Sequence, residues 1–211
     1  MKSTVTVTGF GQASAPADSM LVQLGVHGEG TDVATALDVA GEALPRVTAA
    51  LRSAGVADRD MTTTGISVDE RYDHQKNRQT GYVCRNQLQV VLRDLGGSGR
   101  LLRDVATAGG DGLRIHSVSL QIVDGRDLAS AARAGAFADA RLQAEQYAQL
   151  AGASLGQVLD VHDGAAPEAR AYGSGAFGRS AVLYSAASSV PIEAGDLSEH
   201  ASVTVRWELL R

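Results

Sequence analysis

The chain is short of sulfur, of aromatic residues and of positive charge, and each shortage excludes a class of protein. Cys84 is the single cysteine in 211 residues. No internal disulfide can form, and a zinc site built on cysteines is excluded. Nineteen basic residues stand against 24 acidic ones, a net charge of −5. That rules out a simple electrostatic nucleic-acid binder, which needs a basic face to release counterions from phosphates. No apolar run approaches the roughly 20 residues of a membrane-spanning helix. The opening residues, Met1-Lys2-Ser3-Thr4-Val5-Thr6-Val7, alternate polar and apolar and lack the continuous apolar stretch of a signal peptide. Read as written, the chain is expected in the cytoplasm.

What is present is ordinary for a soluble globular protein: 44% hydrophobic and 20% charged residues. A chain of this length buries roughly 70% of its unfolded surface and needs no covalent or metal staple. Alternation predicts a strand over Thr4 to Thr8, then a glycine-containing turn over Gly9 to Ser19. Met20, Val22, Leu24 and Val26 mark a second strand. Thr31 is placed to cap a helix whose apolar face is Val33, Leu37, Ala40, Leu44, Val47 and Leu51. Pro45 removes the bond to Gly41 and predicts a kink, and Gly55 ends the helix. Strands follow around Ile66 to Tyr72 and Gly81 to Leu92, a short helix over Arg100 to Ala108, and a strand over Arg114 to Val123. A long helix from Arg126 carries ten alanines between Leu128 and Ala151, small side chains that let it lie close to a sheet. Strands at Gln157 to Val161 and Ser202 to Leu209 flank a Gly/Ala/Ser-rich loop at about 163–190. The order β-β-α-β-β-α-β-α-β-loop-β contains strand-helix-strand-strand twice, from Met20 to Leu92 and from Arg114 to Leu209. The expected fold is α+β: two similar halves forming mostly antiparallel sheet, with helices on one side.

Four stretches resemble the SIMPL-domain family, the YggE-like bacterial oxidative-stress defence proteins and a periplasmic antigen. Residues 5–18 give the opening strand, Gly9-Phe10-Gly11 and Pro16-Ala17-Asp18. Residues 49–63, 80–94 and 191–209 carry the rest, so the resemblance covers nearly the whole chain. It implies one domain over residues 1–211, assembly into large rings or channel-like oligomers in some bacterial members, a link to oxidative-stress resistance in others, and a link to kinase signalling as a binding partner in a eukaryotic one. Family members are often periplasmic or exported. The resemblance supplies no catalytic residues.

The residues themselves offer little chemistry. Gly9-Phe10-Gly11 lacks the third glycine and the following helix of a dinucleotide site. Gly96 to Gly99 opens a helix but has no P-loop lysine. His27 and Glu29 form His-x-Glu without the cysteine pair of a zinc deaminase. No two of His27, His74, His116, His162 and His200 have helical ligand spacing. Asp58 and Asp60 fall in a turn, while Asp69 and Glu70 point to opposite faces of a strand, so solvated carboxylates are expected. Cys84 shares strand parity with Leu88, Val90 and Leu92, which favours a buried thiol over a redox sensor. Tyr172, Phe177 and Tyr184 in the long loop are candidate partner or assembly contacts. The resulting expectation is a non-enzymatic, self-assembling binding protein with no cofactor, metal or nucleic-acid partner. The alternatives are a small-ligand binder and a redox protein using Cys84.

Overall fold

A strand can lie directly against a helix only where both give up their side chains, and this requirement arranges the chain. In a computed structural model, residues 3–73, 75, 77–164 and 195–211 are described. The elements follow the expected order: β1 (Thr4–Pro16), β2 (Ser19–Gly30), α1 (Val33–Ser53), β3 (Met61–Asp73), β4 (Arg78–Leu92), α2 (Ser98–Gly109), β5 (Leu113–Gln121), α3 (Arg126–Leu150), β6 (Ser154–Gly164) and β7 (Asp196–Leu210). They fall into two compact units. The first holds β1, α3, β6 and β7; the second holds β2 to β5 with α1 and α2.

The first unit is an antiparallel sheet of order β1-β7-β6. Val5 pairs with Trp207 and Val7 with Val205, which puts them on one face. The buried stripe of α3 packs on that face: Ala132, Ala136, Ala140, Ala144 and Ala148, a strict four-residue spacing. Here the expected turn over Gly9 to Ser19 is corrected. β1 runs straight through it to Pro16, paired with Asp196. A Cβ on Gly9 would collide with Ala136 O and Ala140 N, and one on Gly11 with Ala132 O and Ala136 N. The glycines serve close approach, not reversal. Because α3 rides on β1, its side chains also reach that strand's free edge. Phe10 N donates to Asp139 Oδ2 at 2.9 Å, and Gln143 Nε2 donates to Thr8 O at 3.3 Å. An edge that could template another strand is thereby partly occupied.

The second unit is an antiparallel sheet of order β3-β4-β2-β5. Met20 pairs with Leu92, Val22 with Val90 and Leu24 with Leu88. Val47 and Leu51 of α1 and Leu101, Leu102 and Val105 of α2 join this core. The same device recurs: Cβ atoms on Gly28 would strike Ala36 O and Ala40 N of α1. Asp32, not Thr31, caps α1. Its Oδ1 accepts from Thr35 N at 2.9 Å, while the Thr31 hydroxyl donates to Asp32 itself. Gly55, at φ 88°, supplies the left-handed residue just past the helix end.

The duplication expected from the sequence is present in topology, but its second copy is bounded differently. β2-α1-β3-β4 gives the order β3-β4-β2, and α3-β6-β7 gives the equivalent β6-β7-β1. The strand completing the second copy is β1, whereas β5 pairs with β2 as a fourth strand. Among the described residues there are two sheets, each with its helices on one face.

Gly9→Ala should therefore destabilise the protein by about 3 kcal/mol, because backbone must move to admit the methyl group. That corresponds to a fall in Tm of about 6–12 °C. Gly41→Ala is the matched control: in mid-α1 its Cβ meets nothing within 4 Å. It should stabilise by about 0.5–1 kcal/mol through helix propensity and unfolded-state entropy. Thermal unfolding of the two variants beside wild type checks both signs.

Candidate functional site

In the second unit, three chain ends converge where β4 stops. α1 finishes at Ser53, β4 runs out at Leu92, and α2 begins at Ser98. Asp94 holds the turn between the last two. Its Oδ1 accepts from Gly97 N at 3.1 Å, and its carbonyl accepts from the Ser98 hydroxyl at 2.6 Å. Asp60 lies in the short 3-10 turn before β3. Arg93 grips it with two bonds, Nε to Oδ2 at 3.1 Å and Nη2 to Oδ1 at 2.8 Å. Asp60 is only 8% exposed, so the expected solvated carboxylate is corrected. The hydrogen bonds from Arg93 hold its carboxyl below the usual range. Between these ends opens a cleft of about 570 Å³. Arg93, Arg100, Asp94, Asp104, Val56 and Leu101 are among its lining residues. This is an arrangement for holding charge; no serine or cysteine nucleophile with an adjacent base is among its lining residues.

The structure distributes the other sequence-marked residues widely. Cys84 is 1% exposed, opposite Gly28 and against Ala36 and Ala40. Burial pushes its thiol up, which leaves little thiolate for chemistry. Asn86, on the same face, is buried, and its Oδ1 has no hydrogen-bond partner among the described residues. Two histidines distant in sequence do meet, His27 and His116, with ring centroids 6.2 Å apart. The His116 ring covers Gly25, its Nε2 lying 2.9 Å from where a Cβ would stand. Burial, then Arg114, Arg85 and His116, lower the His27 pKa, and its Nε2 is buried without a hydrogen-bond partner among the described residues. Among the described residues no group of three or more His, Cys, Asp or Glu is placed to hold a metal. Asp58 pairs with Arg52, Glu29 with Arg71 and Asp69 with Arg85. Tyr172, Phe177 and Tyr184 lie outside the described residues.

The first unit has a surface that sequence reasoning missed. Val158 pairs opposite Trp207 and Val161 opposite Val205, so both sit on the face that α3 packs against. α3, drawn onto β1 by its glycines, leaves them uncovered, with Val161 52% exposed. Phe137 extends this apolar strip, its ring centroid 6.1 Å from that of Trp207. Alternation could not have found it, because the register of β6 shifts between Leu155 and Val158 and again before Asp160. No described helix is long and apolar enough to cross a membrane.

Comparison with known proteins adds a family but no activity. The model of the SIMPL family, described as a protein of unknown function (DUF541), matches residues 5–207. Two relatives, from Brucella melitensis biotype 1 and Brucella abortus (strain S19), are each described as a 26 kDa periplasmic immunogenic protein. Each is 30% identical over 215 residues, covering 97% of this chain and 84% of the relative.

The Asp60–Arg93 pair predicts a specific acid response. A carboxylate whose pKa is depressed on folding contributes stability that is fully present above its unfolded value, about 3.9, and is lost as pH falls through the lower folded value. Asp60→Asn should be less stable than wild type at pH 7, with the gap closing as urea unfolding is repeated from pH 5 towards pH 2. A gap that stays constant would show that the Asp60 carboxylate is not the source.

Proposed function

Because the chain belongs to the SIMPL family, whose function is not known, we propose that it is a non-enzymatic protein that assembles with copies of itself and binds a partner in the periplasm. The observation that carries this reading is the uncovered apolar strip of the first unit: Phe137, Val158 and Val161 beside α3. Contiguous exposed apolar surface is costly to leave in water and marks contact sites. Strand β6 adds an edge with no strand beyond it among the described residues. A second copy could cover both at once, burying apolar side chains and pairing backbone groups. The periplasmic setting rests on the descriptions of the two Brucella relatives. Any part in oxidative-stress defence would then come through binding, since the Cys84 thiol is buried and pushed up.

Light scattering after size exclusion, at tens of micromolar, tests the assembly. The expected mass is a multiple of 21.8 kDa. The double variant Val158→Asp and Val161→Asp places two charges in the strip and should shift the population to smaller species while circular dichroism stays native. A wild-type protein that elutes only as monomer overturns the reading.

A further inference from the structure

The cleft at the end of β4 displays both signs of charge in a form that selects a ligand. Arg93 is held in place by a nearly buried partner. Of its five N–H donors, two are spent on Asp60, which leaves both hydrogens of Nη1 and one of Nη2. Arg100, Asp94 and Asp104 have no ion pair among the described residues. The lining therefore carries two positive and three negative groups, Asp60 included, for a net of −1. A simple anion would meet a net negative wall, and a simple cation would meet two guanidiniums. A molecule with both charges satisfies each in turn. Arg100 and Asp104 stand one turn apart on α2, neighbours at i and i+4. That spacing suits an ammonium and a carboxylate joined through one carbon. Arg100 and Asp104 are both exposed and not paired with each other among the described residues, so their charges are available to a ligand. Val56 and Leu101 supply apolar surface for a side chain, and 570 Å³ falls within the range of small-molecule sites.

We propose that this cleft binds small zwitterions of the α-amino-acid class. The carboxylate is taken by Arg100 and the unspent donors of Arg93, the ammonium by Asp104 and Asp94, and an aliphatic side chain by Val56 and Leu101. Every one of these residues lies in the second unit, so the proposal does not depend on the assembly reading.

The full-length chain, titrated by heteronuclear NMR with L-leucine, N-acetyl-L-leucine and L-leucinamide, provides the test. Leucine should give saturable shifts at residues lining the cleft below about 10 mM. The acetylated and amidated forms, each lacking one charge, should bind about tenfold or more weakly. Arg100→Ala and Asp104→Asn, both exposed and outside the Asp60–Arg93 pair, should weaken leucine by a similar factor with the spectrum otherwise native. No saturable shift with leucine overturns the proposal. So does equal binding of leucine and either single-charge form, or leucine binding that neither variant weakens.

Discussion

The contact between strand glycine and helix alanine governs much of what else the molecule can do. In α3 the stripe Ala132 to Ala148 presents only methyl groups, and in β1 Gly9 and Gly11 present only hydrogens. Apolar burial from such small groups is slight for each residue, so the contact gains from proximity: backbone meets backbone, and dispersion accumulates over many atom pairs. The same contact fixes where the helix must lie. Seated over β1, α3 brings Asp139 and Gln143 to the edge of that strand and leaves β6 uncovered on the far side. In the second unit Gly28 and Gly30 pin the first turns of α1. The rest of that helix is then free to bury Val47 and Leu51, and its end arrives beside β4, where the cleft opens.

Local periodicity made much of this legible. The order of elements, the long alanine helix, the apolar face of β2 and β4 and the burial of Cys84 all follow from parity or helical spacing, which need only neighbouring residues. What local patterns conceal depends on distant ones. Glycine punctuates sequences so often that Gly9 and Gly11 read as a turn; only the helix more than a hundred residues later explains them. β5 reads as part of the second repeat because it precedes α3, yet pairing follows register, and its partner is β2. Asp60 looked like a surface carboxylate because nothing near it in sequence predicts Arg93, 33 positions away. The strip on β6 was hidden by its register shifts, which break the alternation that parity arguments assume.

Two polar features show how differently buried groups can be treated. Asp60 is taken out of water but given a bidentate partner, so its charge survives and orients a guanidinium toward the cleft. His27 Nε2 and Asn86 Oδ1 are buried with no such partner among the described residues. For His27, neutrality lowers the cost of burial, and the neighbouring arginines push in the same direction. Asn86 has no titration to relieve it, and its neighbours in the register, Val26 and Ile66, offer no side-chain donor.

The pairing of β1 with β7 also dictates an order of events. Thr4 pairs with Glu208, nearly the full sequence apart, whereas the strands and helices of the second unit lie within residues 17–123. Closing so long a loop is slow and entropically costly compared with forming nearby hairpins. During synthesis the second unit can condense while β1, made before it, waits for β7, made after it. Until β7 is made, a thirteen-residue strand with a glycine pair lacks its sheet neighbour, so a segment made before the second unit is protected only after it.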